Sequence, residues 1–258
     1  TPEYSKALAP EGRIRFGDAV AFPNLFPFAT HHSIIVISKE HYLPLDRFEA
    51  RHFYEGFRVV LDLYSRVGGG HLTLGMNYLQ PAAASLVHPH MQLSIESEPT
   101  LWVNVEKTYS SDYHRTRKTS FWEDYIESEI GGERYIGPTE GFEWFASFAP
   151  LAKNEVIGIN RAGRCDLKEL SDEELWGLAE GIRKVLVGYH HMGIGSFNLG
   201  LHVWPERSPE FSMHVHIISR PRPRELYCSD RGFLEMLFGD VVVETPPEYL
   251  KDHLRSYW

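Results

Sequence analysis

Two cysteines in 258 residues, Cys165 and Cys228, far apart and in no C-x-x-C pair, exclude both a disulfide framework and a paired-cysteine zinc knuckle built from them. No apolar run approaches the length that spans a bilayer, and the start lacks the basic-then-apolar pattern of a secretory leader. The expectation is a soluble, cytoplasmic protein with no membrane partner. Positive charge is also scarce: the formal balance is −9, which argues against nucleic acid as a partner, because such proteins gain affinity by neutralising phosphates. A small anionic substrate can still bind through a few local donors. With 43% hydrophobic residues the chain is long enough to bury one large or two small cores without metal or disulfide for bulk.

Histidine is the abundant residue, with 14 copies, several in close pairs, which directs attention to metal or acid-base chemistry. A weak internal repeat sets the architecture. In the first half, Phe22-Pro23-Asn24-Leu25-Phe26-Pro27-Phe28 leads into Ser33-Ile34-Ile35-Val36-Ile37-Ser38, a β-branched run that reads as a buried strand. In the second half, Trp144-Phe145-Ala146-Ser147-Phe148-Ala149-Pro150 leads into Val156-Ile157-Gly158-Ile159. A helix follows each, with apolar residues spaced by three and four: Phe53, Phe57, Val60, Leu61 and Tyr64, then Leu175, Leu178, Ile182, Val185 and Leu186. Ser171 and Glu174 read as a capping box for the second helix. Each half then offers an asparagine near a strand, Asn77 and Asn198, and closes on an alternating His-x-His strand, His88/His90 and His214/His216. Residues two apart on a strand share a face, so each pair would present two imidazoles side by side.

The pattern is that of a duplicated α+β unit. The halves are separated by a polar, aromatic-rich stretch over Thr108 to Thr119 and a helix around Phe121 to Ile130, which places the domains at 1–115 and 116–258. Pro89 cannot donate to a ladder, so His88-Pro89-His90 is expected at a strand edge or end that meets solvent. A neutral imidazole can attack phosphorus directly to give a phosphoramidate. Gln92, on the same strand face as His90, can donate to a phosphoryl oxygen without acting as an acid toward that intermediate. Upstream, the small residues of Asn77 to Ser85 can approach a diphosphate closely. Arg13 and Arg15, and Arg220, Arg222 and Arg224, are candidate anion contacts; the adjacent pairs His31/His32 and His190/His191 diverge and receive no role.

With His88-Pro89-His90-Met91-Gln92 in place, the sequence resembles galactose-1-phosphate uridylyltransferase and its relatives in the histidine-triad (HIT) superfamily over nearly its whole length. The resemblance implies an α+β fold of two tandem HIT-like domains, mostly antiparallel sheets with packed helices. It implies His90 as the nucleophile that takes the nucleotidyl group, Gln92 as the amide that stabilises its oxygens, and Asn77 and Ser85 as phosphate and nucleotide contacts. Asn24 is similar to the family's nucleotide-pocket asparagine. A metal site of one glutamate and three histidines is implied at Glu106, His202, His214 and His216, holding zinc or iron in a structural role; imidazole and carboxylate suit either ion. The two histidines of the family's first zinc site correspond to His41 and His88, while its C-x-x-C pair is absent from this sequence; Thr1-Pro2-Glu3-Tyr4 is similar to the stretch just after that pair, so the site is truncated rather than lost if the sequence starts downstream of it. No organic cofactor is expected.

The function so implied is transfer of a nucleoside monophosphate, UMP by default, between a nucleotide sugar and a sugar 1-phosphate, by a homodimer. The sugar side departs from the family: its Gly-Tyr-Glu and following glutamine are replaced by Phe238-Gly239-Asp240-Val241-Val242-Val243-Glu244. Phosphorolysis or hydrolysis of a nucleotide sugar or dinucleoside polyphosphate is the chemical alternative. A non-catalytic nucleotide- or metal-binding protein is the alternative of another class.

Overall fold

The computed structural model describes residues 2–223, 225, 229, 231, 232 and 234–258, so Arg224 and Cys228 lie outside it. The strands in chain order are β1 (Ile14–Phe16), β2 (Ala19–Pro23), β3 (His31–Val36), β4 (His71–Tyr78), β5 (His90–Glu96), β6 (Tyr135–Thr139), β7 (Phe142–Ala146), β8 (Val156–Asn160), β9 (Ser196–His202) and β10 (His214–Arg220). The helices are α1 (Ala50–Val67), α2 (Leu101–Arg117), α3 (Phe121–Glu129), α4 (Asp172–His191) and α5 (Pro247–Leu254).

The ten strands form one sheet in the order β1-β2-β3-β5-β4-β9-β10-β8-β7-β6, with every pairing antiparallel. The order of the second half mirrors that of the first about the β4/β9 seam, where Asn77 lies opposite Asn198 and Gly75 opposite Gly200. This is the duplication expected of an α+β pair of HIT-like units. The two halves share one sheet and its main hydrophobic cluster, and residues 115 and 116 fall in the last turns of α2.

Strand alternation decides which face is which. On β4, Leu72, Leu74, Met76 and Tyr78 are buried, and on β5 so are Met91, Leu93 and Ile95. They meet Phe53, Phe57 and Val60 of α1 and Leu178, Ile182 and Val185 of α4, the two helices being packed on each other. Full burial of each such aliphatic or aromatic side chain contributes about 1.5–3 kcal/mol, so this layer supplies the bulk of the driving force. Both helices start where their sequences provide caps: Glu49 with His52 for α1, and Ser171 with Glu174 for α4. Close approach of α4 to the sheet depends on a glycine, since a Cβ on Gly181 would collide with the ring of the fully buried Trp144.

The opposite face carries His90, Gln92 and Ser94 of β5, Asn77 of β4, His202 of β9, and His214 and His216 of β10. Over its second half lies α3, whose Trp122 and Ile126 pack on Phe145, Ile157 and Ile159, so β7 and β8 are buried throughout. The polar stretch Thr108 to Thr119, expected to be a boundary segment, belongs nearly all to α2. Only Val103 and Ser110 of that helix are buried, so no apolar stripe marks it in the sequence.

Candidate functional site

His90 is the first residue of β5, and Pro89 lies just before the strand, its carbonyl accepting from the Ile37 N–H at 3.3 Å. The expectation of a strand end is met, but the solvent-facing edge is corrected: β5 runs between β3 and β4, and His90 is 4% exposed. The Pro89 lesion in the ladder is absorbed at the strand's entry, where no donor is required. His90 Nδ1 lies 2.7 Å from the His88 carbonyl oxygen. A carbonyl only accepts, so Nδ1 carries the proton and the neutral ring holds its lone pair on Nε2.

His88 does not lie beside His90 on the strand, as regular alternation would place it. It precedes β5, its Nε2 donates to the Ser38 carbonyl at 2.7 Å, and its Nδ1 faces His41 Nδ1 at 3.1 Å. The structure thus brings His41 and His88 together, their ring centroids 5.0 Å apart.

Asn77 and Gln92 line a cavity of about 250 Å³ with Phe28, His32 and Gly75, while Asn24, Ser85 and His90 are not among its lining residues. Asn198, across the seam, donates its amide to Asn77 Oδ1 at 2.7 Å and to the Ala82 carbonyl at 2.9 Å. With Oδ1 occupied, the Asn77 NH₂ is the end left to donate elsewhere. The second bond anchors the tight loop after β4, where Leu79 (φ 66°) and Ala83 (φ 64°) adopt left-handed backbone. Holding non-glycine residues there costs about 1–3 kcal/mol each, which the surrounding bonds must offset. Ser85 follows on exposed chain leading to His88. Asn24 does not reach the cavity directly; its amide nitrogen lies 3.2 and 3.3 Å from the two ring nitrogens of His32.

In the second half, α2 brings Glu106 over the ends of β9 and β10, where His202 and His214 are directly opposed. Glu106 Oε2 is 2.7 Å from His202 Nδ1 and 3.3 Å from His214 Nε2, and its Oε1 is 3.9 Å from His216 Nε2. One ligand atom from each of the four residues lies within 4.8 Å of the others. The outward nitrogens are already used: His214 Nδ1 donates to the Ser212 carbonyl at 2.8 Å and His216 Nδ1 to Glu155 Oε1 at 2.7 Å. That leaves the Nε2 lone pairs of both rings turned inward, buried and without a hydrogen bond. Trp122 stacks on His214 with centroids 4.1 Å apart, closing one side.

Such an arrangement fits a metal ion: three neutral imidazoles and a carboxylate, two of the rings fixed in tautomer by outer acceptors. Burial pushes His202 down, favouring the neutral ring that can ligate. All four expected ligands are therefore assembled in one cluster.

Sequence patterns do not reveal His32, Asn198 as a partner of Asn77, or Glu155 behind His216. Their signal lies in strand pairing across the chain, such as His32 opposite Ser94 and two residues along β3 from Ile34, the partner of Gln92, which local patterns do not encode. Arg15 and Arg222 are exposed. Among the described residues no helix is long and apolar enough to cross a membrane.

No family model matches the chain. An uncharacterized protein of Archaeoglobus fulgidus is 31% identical over 244 residues, covering 94% of this chain and 73% of the relative. Among solved structures, a uridylyltransferase superposes with a TM-score of 0.85 at 20% identity, covering 94% of this chain and 85% of the other. An ADP-glucose phosphorylase from Arabidopsis thaliana with bound ADP-glucose superposes with a TM-score of 0.77 at 14% identity, covering 92% and 82%. A galt-like protein from Arabidopsis thaliana reaches 0.79 at 15% identity, covering 92% and 83%. The chain belongs to the family of the Archaeoglobus protein, and its fold is the HIT-like fold of the uridylyltransferases and their galt-like relatives.

Proposed function

We propose that this protein is a nucleotidyltransferase that works through a nucleotidyl-histidine at His90. The observation that carries the reading is the 2.7 Å contact between His90 Nδ1 and the His88 carbonyl, which leaves the lone pair of a neutral ring on Nε2. That nitrogen attacks the α-phosphorus of a nucleoside-diphosphate sugar: the N–P bond forms, the P–O bond to the sugar phosphate breaks, and the electron pair leaves with the sugar 1-phosphate. A second phosphorylated acceptor then attacks the same phosphorus and regenerates the imidazole. The Gln92 and Asn77 amides donate to the phosphoryl oxygens as charge develops on them, a contribution of about 10²–10³ in rate for a well-placed donor. By the family resemblance Ser85 and Asn24 are assigned the further nucleotide contacts, although neither lines the cavity that Asn77 and Gln92 share.

Glu106, His202, His214 and His216 hold a structural zinc or iron ion, which when bound cross-links α2 to β9 and β10; His41 and His88 contribute to a second zinc site. UDP-glucose and galactose 1-phosphate are the default pair, the active unit is a homodimer acting in carbohydrate metabolism, and the compartment is the cytoplasm. A second reading is phosphorolysis of a nucleotide sugar, in which inorganic phosphate is the acceptor. It is favoured by the departure at Phe238 to Glu244 from the family's sugar-gripping motif, and by the likeness to an ADP-glucose phosphorylase.

Isotope exchange tests the reading. Labelled glucose 1-phosphate is expected to enter UDP-glucose or ADP-glucose without any second acceptor, because the first half-reaction is reversible by itself. Exchange that requires the second substrate contradicts the covalent route. Unchanged turnover of His90→Gly on every nucleotide sugar leaves a binding protein as the better description.

A further inference from the structure

We propose that His32 is a positioning residue that fixes the Gln92 amide with its NH₂ toward the cavity, an inference that rests on the reading of Gln92 as a phosphoryl-oxygen donor. The geometry starts from two main-chain N–H groups, which can only donate. The Phe26 N–H donates to Asn24 Oδ1 at 3.1 Å, so the oxygen end of that amide is occupied and its NH₂ turns to His32. The Phe28 N–H donates to His32 Nδ1 at 3.4 Å, and the Asn24 NH₂ lies 3.3 Å from the same nitrogen. The Asn24 NH₂ also lies 3.2 Å from Nε2 and so does not choose between the ring nitrogens; the Phe28 N–H, which faces Nδ1 alone, makes Nδ1 the acceptor, and a neutral ring then carries its proton on Nε2.

His32 Nε2 lies 3.1 Å from Gln92 Oε1. A protonated Nε2 requires an acceptor, and the amide oxygen is one; the reverse orientation would set two donors against each other. Gln92 therefore presents its NH₂ away from His32, on the cavity wall it shares with Asn77. Packing keeps the imidazole in place, since His32 is 5% exposed and the Phe28 ring sits against it at 4.0 Å between centroids. Orientation thus passes from backbone N–H to imidazole to amide before any substrate arrives, which is the condition for a donor to act without reorganisation. A glutamine amide free to flip would spend part of its time offering its oxygen to a phosphoryl oxygen, a repulsive contact.

Two measurements test this. Long-range proton–nitrogen NMR of the ligand-free protein, with the His32 signal identified by its loss in His32→Gln, is expected to show the Nε2–H tautomer at neutral pH; an Nδ1–H or doubly protonated ring overturns the orientation chain whatever the activity. The second follows the rate of nucleotidyl adduct formation with UDP-glucose or ADP-glucose. His32→Leu is expected to lower that rate about ten- to a hundredfold while half-saturation moves by less than about threefold. His32→Gln, which keeps a donor near Nε2, is expected to recover most of the loss, and it serves if the leucine variant does not fold. In a Gln92→Ala background, replacing His32 is expected to add less than about a twofold loss, because the two residues act as one unit. Full additivity overturns the proposal. Absence of any wild-type adduct overturns the transfer reading itself, while the tautomer measurement, made without substrate, still decides whether His32 is set as described.

Discussion

Withdrawing metal from the Glu106, His202, His214 and His216 cluster is expected to lower the melting temperature by about 8–16 °C. The magnitude follows from linkage: an ion present at about 1,000 times its dissociation constant, binding only the folded state, stabilises by about 4.1 kcal/mol. Each kcal/mol shifts melting by about 2–4 °C in a domain of this size. The groups an ion would satisfy are visible in the geometry: the buried Nε2 atoms of His214 and His216 lack hydrogen bonds and lie 3.3 and 3.9 Å from the Glu106 carboxylate. The assay is differential scanning calorimetry before and after dialysis against a chelator, with metal content measured on the same samples. His216→Gln is expected to show the lower melting temperature at the outset and no response to the chelator. Adduct formation below the apo melting point is expected to persist, because an ion held by these residues would tie α2 to β9 and β10, whereas His90 lies on β5. Full occupancy with no thermal shift, or His216→Gln retaining the same ion with the same shift, refutes the reasoning.

Three further outcomes are expected. Gly181→Ala should destabilise by about 1–3 kcal/mol in urea unfolding, since the new methyl is driven into Trp144 with no room to relax; unchanged stability would mean the helix moves freely off the sheet. Asn198→Ala should cost about 1–3 kcal/mol from two lost hydrogen bonds, and should slow adduct formation by loosening both Asn77 and the loop through Ala82; full activity would show that Asn77 is held by other means. Glu210 is partly desolvated, which tends to raise its pKa, but the Lys107 ammonium at 2.7 Å prevails and holds it down to about 2. A depressed carboxylate contributes stability above its unfolded value near 4.5 that is lost as pH falls toward 2. Glu210→Gln should therefore flatten the decline of melting temperature in that window, and an unaltered pH profile would count against the pair.

The parts legible in the sequence are those that local periodicity carries. The β-branched run at Ser33 to Ser38 supplies β3 as far as Val36, the strand starting two residues earlier at His31, and the apolar spacing of α1 and α4 and the Ser171/Glu174 box lie where 3.6-residue spacing puts them. His214 and His216 share a face as a regular strand requires. His88 escapes the same rule because Pro89 delays the strand until His90, so two histidines that look equivalent in sequence diverge in space. Helix α2 is hidden because it rests only lightly on the body, with two buried positions in 17 residues. His32 and Asn198 are illegible for another reason: each gains meaning only when β3 is laid beside β5, or β4 beside β9, and pairing between distant strands is written in the whole sheet rather than in any one segment.

Intact-protein mass spectrometry followed by peptide mapping, after incubation with a panel of nucleotide sugars and no acceptor, tests the catalytic assignment most directly. A mass gain of one nucleoside monophosphate is expected, localised to His90 and abolished in His90→Gly. A nucleotide sugar that binds yet leaves the protein's mass unchanged, or an adduct on any other residue, contradicts it.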